Sequence, residues 1–120
     1  MPTVLIVDDH PSFRATARAV LEAEGFTVVG VAVDGESAIE AVAALRPDVV
    51  LLDVQLPDID GFEVATRIAK VRNGGGAGPL IVLTSSREVT EYGSLVGACG
   101  ASGFVPKSEL SGEALTAVMR

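Results

Sequence analysis

Three aspartates, a threonine and a lysine each close, or nearly close, an apolar run. Asp8 and Asp9 follow Val4–Val7, Asp53 follows Val49–Leu52, Thr84 follows Leu80–Leu83 and Lys107 comes after Gly103–Val105. Carboxylates brought together repel: one pair at about 4 Å and an effective dielectric near 20 costs on the order of 4 kcal/mol. Proteins relieve this by raising a pKa or by binding a cation. Mg²⁺, or Mn²⁺ in its place, fits an all-oxygen site that keeps several waters and leaves room for a phosphate. Beside such an ion one carboxylate can attack phosphorus, giving an acyl phosphate. Asp53 stands alone at its strand end and is the nucleophile candidate, while Asp8 and Asp9 share the neighbouring end and can serve the cation. The Thr84 hydroxyl and Lys107 ammonium are placed to bind phosphoryl oxygens. Gln55, two residues after Asp53, can offer its main-chain carbonyl as another metal oxygen.

This chemistry requires the five residues to meet, which depends on the elements that carry them. The strand candidates are Val4–Val7, Phe26–Val31, Val49–Leu52, Leu80–Leu83 and Gly103–Val105. Most are nearly continuous apolar runs, as expected of strands covered on both faces. Amphipathic segments lie between them. From Pro11 the stripe is Phe13, Ala17, Val20 and Leu21, with Arg14 and Arg18 facing away and Gly25 as the stop. Asp34 caps a second helix with Ile39, Val42, Ala43 and Leu45 inward, ending before Pro47. Asp60 caps a third, with Glu63 placed to reach back as in a capping box and Val64, Ile68 and Val71 inward. A fourth, from about Ser86, carries Val89, Tyr92, Val96 and Cys99 but also Gly93 and Gly97, which weaken it. A fifth begins near Ser111 with Ala114, Leu115 and Val118 inward.

Strands alternating with helices predict an α/β fold with a parallel sheet. The expected architecture is a doubly wound, flavodoxin-like five-stranded sheet of order 2-1-3-4-5 with helices on both faces. All five chemistry-bearing residues then lie along one edge, with Asp8, Asp9 and Asp53 flanking the switch point between the first and third strands, Thr84 on the adjacent fourth strand and Lys107 on the fifth. The glycine-rich segment Asn73–Gly78 precedes a strand and lacks the Lys-Ser/Thr ending of a phosphate loop, so it reads as a surface connector.

The chain of 120 residues supports one domain. Its 48% hydrophobic and 4% aromatic content predicts an aliphatic core. A net charge of −7 argues against nucleic-acid binding, which needs clustered Lys and Arg. The one cysteine, Cys99, excludes an internal disulfide, reads as a small core thiol and fits a reducing compartment. With no signal segment and no membrane-spanning run, the expected location is cytoplasmic. Each site residue also has an ordinary reading: Asp8–Asp9 as a helix cap, Asp53 as a turn residue before Pro57, Thr84 as a strand end, Lys107 as a solvated lysine. Co-location on one sheet edge is what favours chemistry. His10, the only histidine, reads as a helix-entry residue at the pocket rim.

At these residues the chain resembles the receiver domain of bacterial two-component response regulators. The matching stretches are VLIVDDHPSFR, DVVLLDVQLPDIDGFEV, LIVLTS and GFVPK. The resemblance implies Mg²⁺ binding by Asp8, Asp9, Asp53 and the Gln55 carbonyl, and phosphoryl transfer to Asp53 from a phosphohistidine on a sensor kinase. It implies Thr84 as switch hydroxyl, Lys107 as phosphoryl contact and Phe104 as the aromatic whose rotamer responds to phosphorylation. The chain is then a signalling receiver that catalyses only its own phosphorylation and dephosphorylation. The switched face would be that of the fourth helix, fifth strand and fifth helix, with transcription as the output and self-dimerisation as one consequence. Two departures stand out. Lys107 follows Pro106 and precedes Ser108, where the family usually has Lys-Pro with a cis bond, and Phe104 lacks a tyrosine hydroxyl. DDHPSFR and PKSEL are most similar to the NarL/LuxR subgroup, implying a receiver cut from a longer regulator with a C-terminal helix-turn-helix. Two other classes compete: an aspartyl-nucleophile phosphatase, against which Gln55 stands where a second aspartate is needed, and a flavodoxin-like cofactor binder, against which the first loop opens with two acids.

Overall fold

The computed structural model describes residues 2–73, 78–86 and 98–119, with side chains of 71–73 and 119 left aside. Most of the fourth predicted helix, from Ser86 to Cys99, and of the Asn73–Gly78 segment lies outside the described residues, as does the Val71 side chain.

Five strands form one sheet: β1 Thr3–Val7, β2 Thr27–Ala32, β3 Val49–Asp53, β4 Leu80–Ser85 and β5 Gly103–Pro106. Every neighbouring pair is parallel and the order is β2-β1-β3-β4-β5, as the alternating pattern predicts. The two faces bury separate aliphatic clusters. One joins Leu5, Val7, Val50, Leu52, Ile81 and Leu83 to α2 (Gly35–Leu45) and α3 (Gly61–Asn73). The other joins Val4, Ile6, Val49, Leu51 and Val82 to α1 (Pro11–Ala23) and a C-terminal helix, Gly112–Met119. Val4–Val7 and Val49–Leu52 are wholly buried, which explains why their sequences are unbroken apolar runs. Among the described residues no helix is long and apolar enough to cross a membrane, and every peptide bond is trans, that after Lys107 included.

Local chemistry sets the helix ends. Pro11 sits in the first turn of α1 and Gly25, at φ 96°, takes the chain out of it. Asp34 caps α2 through the Ser37 N–H at 2.8 Å, and Ser37 reciprocates. Asp60 accepts from the Glu63 N–H at 2.8 Å at the start of α3, and the Ser111 hydroxyl accepts from Ala114 N–H before the C-terminal helix.

Three expectations need correction. Arg14 lies off the apolar stripe but is half-buried: its guanidinium reaches back to donate to the Asp8 carbonyl at 2.7 Å. The Glu63 carboxylate pairs with Arg67 at 3.0 Å, where the opposite charge outweighs a neutral N–H. Ala43 and Leu45 are exposed, and the buried side of α2 runs through Ala38 with Ile39, Ala41 and Val42 packed beside it. A short helix against an edge strand turns only about one narrow stripe inward.

Candidate functional site

The parallel register brings the strand ends together. Val7 pairs with Leu52, so Asp8 and Asp53 are the next residues of adjacent strands. Asp53 pairs with Thr84, Thr84 with Val105, and Ser85 with Pro106, immediately before Lys107. Four strands therefore deliver Asp8, Asp53, Thr84 and Lys107 to one edge, as the sequence predicts.

Asp8, Asp53 and Thr84 are buried, at 0%, 2% and 0% exposure. Lys107 Nζ lies 2.6 Å from Asp8 Oδ2 and donates to Asp53 Oδ2 at 3.3 Å. The Asp8 contact is ionic without hydrogen-bond geometry. Among the described residues, Asp8 Oδ2 and Thr84 Oγ1 are buried with no hydrogen-bond partner. The Thr84 hydroxyl, with neither a hydrogen bond nor an ion pair, carries a real desolvation cost, whereas the Lys107 ammonium compensates the charge on Asp8 Oδ2. Asp9 stands at the rim, and His10 Nδ1 lies 2.9 Å from Asp8 Oδ1 and 3.2 Å from Asp9 Oδ1. His10 occupies the cap position of α1 without a capping hydrogen bond, as its helix-entry reading predicts, and neither acid holds that position. Ligand atoms of Asp8, Asp9, His10 and Asp53 lie within 4.8 Å of one another, so this cluster could hold a metal ion.

Burial pushes the Asp53 carboxyl above its ordinary pKa. The Gln55 N–H bond to its Oδ1, at 3.1 Å, opposes this, the Asp8 charge adds to it and Lys107 counters it. Gln55 itself is exposed at the pocket mouth. Phe104, in register beside Leu83, is half-buried against the α2/α3 cluster.

Several residues that build the site were not singled out from sequence. Asp58 accepts from the Gly35 and Glu36 N–H groups at 2.8 and 3.0 Å, tying the loop after β3 to the start of α2. The Gly35 N–H leads the effects that hold the Asp58 carboxyl at about 2. Gly61 lets α3 begin directly against β3: a Cβ there would press on the Asp53 carbonyl oxygen. Phe13 places its ring under the Lys107 ammonium, 4.5 Å from Nζ to the ring centroid. The LPDIDG stretch carried a hint, since clustered Asp and Gly before a helix signal caps and close backbone approach.

Fold and site together define a doubly wound parallel α/β domain with an acidic, lysine-bearing pocket on the carboxyl edge of its sheet. The model of the response regulator receiver domain family matches residues 4–119, and the chain belongs to that family. It is 32% identical over 105 residues to the DNA-binding transcriptional activator EvgA of Escherichia coli K12, covering 88% of this chain and 50% of EvgA. It is 38% identical over 104 residues to the response regulator MprA of Mycobacterium ulcerans, covering 87% of this chain and 43% of MprA. The chain thus spans half or less of these relatives' length. Among solved structures, the signal receiver domain of NarL from Mycobacterium tuberculosis superposes with a TM-score of 0.85 at 31% identity, covering 98% of this chain and 96% of that one.

Proposed function

We propose that this chain accepts a phosphoryl group on Asp53 from a phosphohistidine of a sensor histidine kinase, as the receiver of a two-component transcriptional regulator. The observation that carries the reading is the meeting of a buried Asp53 with Lys107 at 3.3 Å and the partnerless Thr84 hydroxyl beside it. Asp8, Asp9, Asp53 and the Gln55 main-chain carbonyl would hold Mg²⁺ or Mn²⁺. Bound there, the ion neutralises carboxylates that otherwise repel an anionic donor and offsets charge on the transferring group.

An Asp53 carboxylate oxygen attacks phosphorus, the bond from phosphorus to the donor's imidazole nitrogen breaks, and the departing imidazole keeps that electron pair. The Lys107 ammonium stands where it can follow one phosphoryl oxygen. The Thr84 hydroxyl, having no competing partner, can donate to another. Hydrolysis of the same acyl phosphate resets the domain. Phe104 and the C-terminal helix belong to the face that would transmit the change to an output, with self-dimerisation as one route. EvgA is a DNA-binding transcriptional activator and this chain spans half of it, which supports a receiver that works with a C-terminal DNA-binding domain of the NarL/LuxR type.

Incubation with acetyl phosphate and Mg²⁺ followed by intact-mass measurement tests the reading. One added phosphoryl group is expected, dependent on the metal and absent in Asp53→Asn. Labelling that persists in a folded Asp53→Asn chain overturns it.

A further inference from the structure

Lys107 opens a short 3-10 turn, Lys107–Glu109, directly after β5. Its side chain is 15% exposed and its ammonium touches two kinds of neighbour: the carboxylates of Asp8 and Asp53, and the face of Phe13. The carboxylates attract it only while their charge is free. Any cation taken up by Asp8 and Asp53 competes with the lysine, leaving its ion pairs loosened until a phosphoryl oxygen comes within reach. A lysine has a flexible four-carbon stem and no preferred seat once its ion pairs loosen. The quadrupole of a phenyl ring neither titrates nor binds a metal, and its attraction for an ammonium grows as water is excluded.

We propose that Phe13 is a positioning residue for Lys107, its ring face keeping the ammonium over the acceptor when the carboxylate charges are engaged elsewhere. The ring is well placed for this. Phe13 sits in the first turn of α1, set by Pro11, and packs against the cluster that includes Leu115 and Val105. The seat is therefore held by apolar packing that does not depend on the carboxylate charges of the pocket. The proposal rests on the reading that Asp53 is phosphorylated.

A fluorination series at Phe13 separates the ring's electrostatics from its packing, because added fluorines drain the quadrupole and barely change size. Site-specific incorporation of mono-, di- and trifluorophenylalanine at Phe13 is combined with Phe13→Leu and Phe13→Tyr. Labelling of Asp53 by acetyl phosphate is measured at saturating donor, and each chain's urea midpoint is recorded. The maximal rate should fall stepwise along the series and about tenfold in Phe13→Leu, with the half-saturating donor concentration unchanged. Phe13→Tyr should stay within about twofold of wild type, since the ring face is retained. In the metal-free chain, proton NMR should place the Lys107 side-chain methylene signals upfield under the ring current in wild type and Phe13→Tyr. A flat rate across the series in a wild type that labels, or Lys107 methylene signals at ordinary shifts, overturns the role of the ring alone. A wild-type chain that takes no label overturns the phosphoacceptor reading and this proposal with it.

Discussion

Replacing Gly61 with alanine sets two physical effects against each other, and the structure decides between them. Helix propensity favours alanine by about 0.8–1 kcal/mol in a helix interior, and the stiffer unfolded chain adds about 0.4–1 kcal/mol. Gly61, however, is the first residue of α3 and abuts the end of β3. A Cβ there would press on the Asp53 carbonyl oxygen and stand 2.8 Å from Val54 Cα and 3.0 Å from the Asp53 carbonyl carbon. These are backbone atoms of a wholly buried strand end, so they cannot rotate aside. Relief means pushing the start of α3 outward and stretching the 2.7 Å bond from Gly61 N–H to the Val54 carbonyl. Overpacking costs about 1–3 kcal/mol, more where backbone must shift, and the weakened hydrogen bond about 1 kcal/mol. The propensity gain is only partly realised at a helix start. The net loss is about 2 kcal/mol, which at a urea m-value near 1.5 kcal/mol/M lowers the midpoint by roughly 1–1.5 M. Urea unfolding followed by far-UV circular dichroism measures it, with an unchanged m-value as the check on two-state behaviour. The same shift draws Gln55 N–H away from Asp53 Oδ1, so phosphoryl labelling should slow as well. A midpoint at or above wild type would refute the argument, because the loop would then have room that the geometry denies it.

Thr84→Val should raise the urea midpoint while slowing Asp53 labelling, since it removes a buried, partnerless hydroxyl whose desolvation costs about 1–3 kcal/mol and keeps the side-chain shape. A lower midpoint would mean the hydroxyl is satisfied. In metal-free buffer, Asp53→Asn should be more stable than wild type at neutral pH. The Asp53 carboxyl is raised by burial, so the folded state binds its proton more tightly than the unfolded state does, and ionisation costs stability as pH rises through the folded pKa. The advantage should shrink in acid, and a gap constant with pH would count against the assignment. Asp58 has the opposite sign. Its carboxyl titrates at about 2, so its stabilising bonds to Gly35 and Glu36 are present above the ordinary carboxylate range and lost as pH falls toward that value. Carbon-detected NMR titration should find its midpoint well below the ordinary aspartate value, and an ordinary midpoint would show that the tie to α2 is absent in solution. Lys107→Met should slow labelling by about a hundredfold or more at unchanged fold, as expected for loss of a transition-state charge partner. Acetyl phosphate kinetics would show it, and a loss under threefold would remove Lys107 from the transferring group.

The sheet could be read from sequence because its strands are buried on both faces. Val4–Val7 and Val49–Leu52 have no polar residue to break the run, and the first polar residue after each marks the carboxyl edge. Asp8, Asp53, Thr84 and Lys107 were found for that reason: strand ends are a one-dimensional signal. What escaped was set by contacts between elements. Asp58 caps a helix that begins 23 residues earlier, and no local pattern announces a cap supplied from another loop. Phe13 fits the apolar stripe of α1, so its second contact, with Lys107, is invisible to helical periodicity. Arg14 sits on the expected polar side of the same helix, yet its long side chain turns back to a carbonyl that only the fold brings near. Gly61 follows the Asp60 cap in sequence, and the need for a missing side chain there appears only once β3 and α3 are packed together.

The charges at the site explain why a stable domain keeps such an unfavourable arrangement. Counted formally, Asp8, Asp9 and Asp53 bring three negative charges and Lys107 one positive charge, leaving an excess of two, one of them on Asp9 at the exposed rim. Burial makes that excess costly, and the partnerless Thr84 Oγ1 adds to the cost. A second lysine would neutralise part of it permanently but would also fill the space that, on the proposed reading, a phosphoryl group takes. A divalent cation is opposite in sign and equal in size to that excess, can be exchanged, and leaves open positions for further oxygens. The aliphatic clusters on both faces of the sheet supply the stability that the pocket lacks, and they leave the carboxyl edge free to keep its charge imbalance. On this argument the imbalance is what selects the ligand. Filling it with a fixed cation, for example by Thr84→Lys, should stabilise the metal-free chain, weaken Mg²⁺ binding by calorimetry and abolish labelling of Asp53. A variant that folds and still binds Mg²⁺ at wild-type affinity would show that the charge balance does not govern the site.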